Sequence, residues 1–128
     1  VAGNSTGENT YNNALRFLSF IGSQVEVARG ADKPILRPLK GAAKVHGKTG
    51  LDGIEAIMPV SKGSGRPAFD LLTQTLLNST CKITLVPLGP LTNIAIALLA
   101  RPEIKEKIEK QFYGNAFDMN CGFNKSLK

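Results

Sequence analysis

The sequence predicts an α/β protein with an open, mainly parallel sheet and flanking helices. Apolar residues recur at helical spacing over Glu8–Ile21, which indicates a helix with one buried face. The run Ile83–Pro87 is apolar and rich in β-branched residues, as is typical of a strand buried on both faces of a parallel sheet. Because strand and helix patterns alternate along the chain, the order of elements favours the α/β class.

In the first half of the chain, the patterns predict short elements followed by a long loop. Val1–Gly3 has the composition of the end of a strand, and Gly22 is expected to end the helix over Glu8–Ile21. Val25–Ala28 is short, contains two valines and predicts a second strand. Ala31–Gly65 is rich in Gly, Pro and Lys and predicts no long element, although short pieces are expected. Loops of that length are usually functional or mobile.

In the second half, the predicted helices surround the apolar strand. Ala68–Leu77 predicts a helix with Pro67 at its first helical position. Leu91–Leu99 predicts a strongly apolar helix, and Pro102–Gln111 predicts an amphipathic helix with Glu and Lys on its solvent face. Phe112–Lys128 shows no clear periodicity.

Composition and charge narrow the possible function classes. The 128 residues correspond to about one domain, and 16 basic against 10 acidic residues give a net charge of +6. The basic residues form no arginine-rich run, so we expect no dedicated nucleic-acid binding. The longest apolar run, near Ile94–Ala100, is too short to cross a bilayer, so we expect no membrane association.

Cysteine and histidine usage argues against a zinc site. Cys81 and Cys121 lie far apart, form no C-x-x-C pair and share the chain with one histidine. We therefore expect reduced thiols in a cytoplasmic protein, with Cys81 buried as a small apolar residue. Phe17, Phe20 and Phe69 are expected in the core.

Two common catalytic patterns are not found in the sequence. Gly47-Lys48-Thr49 looks like the end of a phosphate-binding loop, but that loop needs a glycine at position 42, where Ala42 stands. The 10 carboxylates include no D-x-D or D-D pair. They do not by themselves supply the roughly six to eight oxygens that calcium binds.

Polar loops at the ends of predicted strands are the places where we expect a ligand. Ligands of open parallel sheets bind outside the carboxyl ends of the strands. Asn4 follows the opening strand, and Leu88–Asn93 follows the strand over Ile83–Pro87. His46 lies in the glycine-rich part of the long loop.

Several segments together resemble the nucleoside hydrolases, the inosine-uridine-preferring N-ribohydrolases. The resemblance is carried by three segments in the family's order: Val1–Asn4 followed by Asn13–Leu15, then Pro34-Ile35 and Pro38-Leu39 followed by His46–Gly53, and last Leu85–Ala95. It extends from Val1 to about Ile108. It implies the family's Rossmann-like topology, of which residues 1–128 would form a single partial domain.

The resemblance implies a specific chemistry. Family members cleave the N-glycosidic bond of ribonucleosides to give ribose and a free base. In that reaction a bound calcium ion holds the ribose 2′- and 3′-hydroxyls and a water, and an aspartate takes the proton of that water. The transition state resembles an oxocarbenium ion. The family's D-x-D-x-G-x-D-D motif, which supplies the aspartate and most calcium ligands, would precede Val1, so no catalytic residue is expected within this chain.

Five residues of this chain correspond to binding positions of the family. Asn4 matches an asparagine that bonds a ribose hydroxyl, and His46 matches a histidine near the nucleobase. Leu88 occupies the position whose backbone carbonyl is a calcium ligand. Asn115 and Asn124 correspond to ribose contacts in a segment that departs from the family pattern. Asn93 is expected to cap a helix or brace its loop.

Three hypotheses about function remain open at this point. The chain is part of a calcium-dependent ribonucleoside hydrolase and inactive alone, or a non-catalytic relative that binds nucleosides or ribose, or a degenerate remnant. The resemblance also implies a cytoplasmic protein of nucleoside and purine salvage that forms dimers or tetramers. Purine or pyrimidine preference is not predicted. Residues 1–128 alone are expected to be marginally stable, or to associate through exposed strand edges.

Overall fold

The structure is a computed structural model that describes residues 1–52 and 63–111. It contains four α-helices, a 3₁₀-helix and two short strands within those ranges. The elements are α1 (Gly7–Phe20), α2 (Ala43–His46), α3 (Ala68–Asn78), β1 (Ile83–Leu85), α4 (Thr92–Ala100), the 3₁₀-helix (Pro102–Lys107) and β2 (Ile108–Gln111). In these two ranges, each helix is too short or too polar to span a membrane.

Helix α1 begins and ends where its local sequence indicates. The Thr6 hydroxyl accepts a hydrogen bond from the backbone N–H of Asn9 at 3.2 Å, which caps the first turn. Gly22 adopts a positive φ of 69° and donates its N–H to Ser19 O at 3.2 Å, which closes the last turn. The predicted helix over Glu8–Ile21 is therefore confirmed to within one residue at each end.

The core lies where α3, α4 and the 3₁₀-helix meet. Leu76, Ala97 and Ile104 are almost completely buried and form one cluster. The small Ala97 allows α4 to pack closely in this cluster. Partly buried residues surround the three: Phe69, Leu72, Leu77, Ile83, Leu98 and Ile108. The predicted helices over Ala68–Leu77 and Leu91–Leu99 are confirmed with shifts of a single residue, and Pro67 is the N-cap rather than the first helical residue.

The two strands form a parallel pair, which confirms the predicted α/β class. Ile83 is opposite Ile108 and Leu85 is opposite Gln111, with one irregularity of register between them. Helix α4 and the 3₁₀-helix make the crossover that a parallel pair requires. The strand predicted over Ile83–Pro87 is shorter than expected, and Thr84 is exposed, so the strand is not buried on both faces.

The helix predicted over Pro102–Gln111 is wrong in its second half. A 3₁₀-helix ends at Lys107, and the chain then continues as β2. Ile104 is buried in the core, whereas Ile108 pairs with Ile83. This tertiary pairing overrides the local helix preference of Glu and Lys.

The strands predicted over Val1–Gly3 and Val25–Ala28 are also wrong, because both segments are irregular. Their backbone N–H and C=O groups form isolated hydrogen bonds rather than the continuous ladder of a sheet. Ala2 donates its N–H to Ala31 O at 2.8 Å, and Ser64 donates to Val27 O at 3.0 Å. Within residues 31–52 and 63–65 of the long loop, α2 is the one helix, in line with the prediction of short elements. Phe112–Lys128 lies outside the described residues.

Two expectations about burial are corrected by the structure. Phe17 is 61% exposed and Phe20 is 70% exposed, since none of the described elements covers that end of α1. Cys81 is an exposed free cysteine, because it lies in the turn that precedes β1 rather than in the strand. Phe69 does pack against the core cluster, as expected.

Candidate substrate-binding site

The chain brings the segments that contain Asn4, His46 and Leu88 into contact with one another. Ala42, which directly precedes α2, donates its backbone N–H to Asn4 O at 2.7 Å. On the other side, Gly3 lies so close to Pro90 that an added Cβ would approach Pro90 Cγ to 2.8 Å. The opening segment therefore lies between the long loop and the loop that follows β1, although it is not a strand.

Asn4 offers a free polar group at this junction. Its side chain is exposed, whereas its backbone carbonyl is occupied by the hydrogen bond from Ala42. The amide makes no hydrogen bond within residues 1–52 and 63–111. An asparagine amide has donor and acceptor atoms side by side, so it suits a sugar hydroxyl.

His46 is the last residue of α2 and is half-buried. Its backbone N–H bonds Ala42 O at 3.0 Å, so the same residue that contacts Asn4 also anchors the helical turn of His46. Gly47 follows with φ 74° and ψ −179°, a conformation open essentially to glycine. Gly47 therefore sets the direction of the chain after His46, and a larger residue at this position would be strained.

Asp52 organises the turn that follows His46, which we call the Gly47–Asp52 turn. Its carboxylate accepts hydrogen bonds from Thr49 Oγ1 at 2.7 Å and from the backbone N–H groups of Thr49 and Lys48, both at 3.2 Å. The hydrogen bonds from Thr49, side chain first and then backbone, hold the pKa of Asp52 below its ordinary value. An added Cβ at Gly47 would overlap this carboxylate.

Two asparagines of α1 connect the Gly47–Asp52 turn to the opening segment. Asn9 Nδ2 donates to Lys48 O at 2.8 Å, and Asn13 Nδ2 donates to Thr49 O at 2.9 Å. Asn9 Nδ2 also bonds Ser5 Oγ at 3.0 Å, next to Asn4. The sequence patterns did not identify these two residues as parts of the site. Their spacing of four residues in a predicted helix, which places both on one face, was the available signal.

Leu88 lies in the loop between β1 and α4, and Asn93 is the second residue of α4. Leu88 is 75% exposed, and its neighbour Gly89 lies beside Val1. Asn93 Oδ1 accepts a hydrogen bond from Ala31 N at 2.9 Å, so this side chain braces the loop, one of the two structural roles expected for it. Among the described residues, no side chain caps the N-terminus of helix α4. Asn115 and Asn124 lie outside the described residues.

The described residues do not form a metal centre on their own. Within residues 1–52 and 63–111, no three His, Cys, Asp or Glu side chains lie close enough together to hold a metal ion. The Asp52 carboxylate is bonded to Lys48 and Thr49 of its own turn, and Leu88 would contribute at most its one backbone carbonyl oxygen. Calcium needs about six to eight oxygens, so these residues alone do not fit the ion.

A partly open cavity of about 240 Å³ lies next to Asn93 but apart from the three predicted binding residues. Its walls are mostly apolar, and Arg29 at its edge is paired with Asp32 at 3.2 Å. The lining residues are Arg29, Gly30, Ala31, Pro67, Ala68, Phe69, Asn93 and Ile96. Neither Asn4 nor His46 contributes to it.

Comparison with curated proteins finds ribonucleoside hydrolases. The non-specific ribonucleoside hydrolase RihC of Klebsiella pneumoniae subsp. pneumoniae is 43% identical over 103 residues, which are 80% of this chain and 34% of that protein. The RihC protein of Salmonella typhi is 44% identical over the same share of each chain. The chain thus spans about a third of the length of the relatives that it matches.

Solved structures of the same kind share the fold. A purine-preferring ribonucleoside hydrolase from Gardnerella vaginalis is 29% identical with a TM-score of 0.78, over 87% of this chain and 37% of that one. A plant nucleoside hydrolase is 30% identical with a TM-score of 0.79, over 88% of this chain and 36% of that one. The sequence model of the inosine-uridine preferring nucleoside hydrolases matches residues 1–120. The chain therefore belongs to the inosine-uridine preferring nucleoside hydrolase family.

Proposed function

We propose that this chain forms the ribose- and base-binding side of a hydrolase that cleaves the N-glycosidic bond of ribonucleosides. The observation that carries the proposal is the hydrogen bond from Ala42 N to Asn4 O. It joins the segments of Asn4 and His46, the two residues that match substrate-binding positions of the family. The relatives that the chain matches are named as ribonucleoside hydrolases, which supports the substrate class.

The residues of this chain would bind and orient the nucleoside. Asn4 would hold a ribose hydroxyl through its exposed amide, and the His46 imidazole would contact the nucleobase. The reaction adds water at C1′: a C1′–O bond forms, the C1′–N bond breaks, and the base leaves with a proton. Holding the sugar and the base separately favours this step, because the bond between them lengthens in the transition state.

We also propose that the Leu88 carbonyl is one calcium ligand of the complete site. The ion would orient the sugar and activate the water. The remaining ligands and the general base would come from the family's aspartate motif.

Asn115 and Asn124 are proposed as further ribose contacts, on the strength of the resemblance alone. The cytoplasmic location, the role in purine salvage, the dimeric or tetrameric assembly and the lack of nucleic-acid and membrane partners also stay proposals. Each follows from the family or from composition.

The test is base release by the whole protein that contains these residues, with inosine and uridine in the presence of calcium. We expect Asn4→Ala to lower kcat/KM by about ten- to a hundredfold, the effect of one lost hydrogen bond to substrate. Asn78→Ala, an exposed asparagine at the end of α3, is the matched control and should retain full activity. No base release by the unmodified protein, or full activity of Asn4→Ala, would contradict the proposal.

The second candidate is a non-catalytic nucleoside- or ribose-binding protein. It draws on Asn4 and His46, which match substrate-binding positions of the family and which either kind of protein would use. Calorimetric titration with inosine and ribose distinguishes the two candidates. Binding that depends on Asn4, without release of base, would establish the binding protein.

A further inference from the structure

The Gly47–Asp52 turn is held in place from two independent directions. From inside, the Asp52 carboxylate bonds the backbone N–H groups of Lys48 and Thr49. From outside, Asn9 and Asn13 bond the carbonyl oxygens of the same two residues, Lys48 and Thr49. Both backbone groups of two successive residues are thus fixed by side chains 3 to 39 residues away.

The turn contains one large apolar side chain, Leu51, which is 43% exposed. The turn nevertheless lies close to the opening segment, because an added Cβ at Gly50 would come within 2.9 Å of Ser5 Cβ. Polar contacts from Asn9, Asn13 and Asp52 anchor its backbone.

We propose that Asn9, Asn13 and Asp52 are positioning residues, which hold the Gly47–Asp52 turn and thereby fix the segment of His46 against that of Asn4. The proposal rests on the proposed function, in which His46 contacts the nucleobase. Asn9, Asn13 and Asp52 would act on binding through His46 and would not themselves contact the substrate.

The connection between the turn and His46 is short. Gly47 is the one residue between His46 and the first anchored carbonyl, that of Lys48. On the other side of His46, Ala42 is bound to Asn4 O. Fixing both flanks leaves the histidine segment little freedom, whereas releasing the turn would let its C-terminal flank move.

The test is carried out in the whole protein that contains this chain, with Asn13→Ala and Asp52→Asn as separate variants. Asp52→Asn keeps the size of the side chain but presents an amide to the N–H groups of Lys48 and Thr49. Asn12→Ala is the control, since Asn12 lies on α1 and its side chain makes no hydrogen bond to residues 1–52 or 63–111. The His46 imidazole signals are followed by NMR and assigned with His46→Gln.

We expect the His46 signals to shift or broaden in both variants and to stay unchanged in Asn12→Ala. In steady-state kinetics, KM for inosine should rise about tenfold with kcat changed less than about threefold, as for a loss of ground-state binding. A variant that only destabilised the protein would instead lower the active fraction and leave KM unchanged.

The outcomes separate this proposal from the proposed function. His46 signals that stay at their original positions in both variants would overturn the proposal, whether or not the protein releases base. A shift of the His46 signals without any change in KM would also overturn the positioning role. Signals that move in a protein that binds inosine without releasing base would support the positioning role and contradict only the hydrolase assignment.

Discussion

At the scale of single residues, Asp52 illustrates how one exposed carboxylate determines a loop conformation. An ionised carboxylate has only acceptor atoms, and here it meets three donors from two residues, Lys48 and Thr49. Hydrogen bonds to charged groups are stronger than those between neutral groups. Protonation replaces an acceptor by a donor and therefore opposes the turn.

The first prediction concerns the pKa of Asp52 and the pH dependence of the turn. Because this pKa is lower in the folded chain than its ordinary value of 3.8, the carboxylate stabilises the turn above that value, and the stabilisation is lost as the pH falls through the folded pKa. Thr49→Val removes the largest cause and should raise the Asp52 pKa toward the ordinary value. The measurement is the pH titration of the Asp52 carboxyl ¹³C signal.

Thr80→Val is the control for this titration, since Thr80 is an exposed threonine and is not among the hydrogen-bond partners of Asp52. It should leave the midpoint where it is in the unmodified chain. An unchanged midpoint in Thr49→Val would show that the Thr49 hydroxyl does not set the pKa of Asp52.

The residues of the candidate site differ in how far the sequence predicts them. The polar loops containing Asn4, His46 and Leu88 are predicted by their positions after strand-like segments and by the resemblance. The contacts of Asn9 and Asn13 are not, because their carbonyl partners are 39 and 36 residues away. A hydrogen bond over such a distance leaves no local pattern in the sequence.

At the scale of elements, the helices agree with the sequence patterns because their causes are local. The apolar spacing, the Thr6 cap and Gly22 all act within a few residues of α1. Strands depend on a distant partner: β2 forms because Ile108 meets Ile83, whereas Val25–Ala28 finds no ladder within residues 1–52 and 63–111. Strand propensity therefore depends on context more than helix propensity does.

The second prediction compares two leucines of equal size in neighbouring helices. Leu76 of α3 is fully buried in the core cluster, whereas Leu99 of α4 is 73% exposed. Leu76→Ala should lower the free energy of unfolding by about 2–5 kcal/mol, because it leaves a cavity. Leu99→Ala should change it by less than about 0.5 kcal/mol. Urea unfolding of the two variants in the whole protein measures the difference, and similar losses would contradict the assigned core.

At the scale of the whole molecule, the described residues bury few apolar side chains. Six hydrophobic residues are buried, while twelve large ones are exposed, including Leu36 at 93% and Val45 at 79%. The sheet of β1 and β2 has two strands, and sheets of that size are marginal alone. Exposed apolar side chains and unpaired strand edges favour association with further protein surface.

The third prediction follows for residues 1–128 expressed alone: they should associate rather than remain a stable monomer. Sedimentation should give masses above 13.7 kDa, and the exposed apolar surface should bind a fluorescent hydrophobic dye. The double variant Phe17→Gln, Phe20→Gln changes only exposed positions of α1 and should reduce the associated fraction. A monomer of 13.7 kDa with one sharp thermal transition would contradict this prediction, because it would show that the small core of Leu76, Ala97 and Ile104 is sufficient for independent folding.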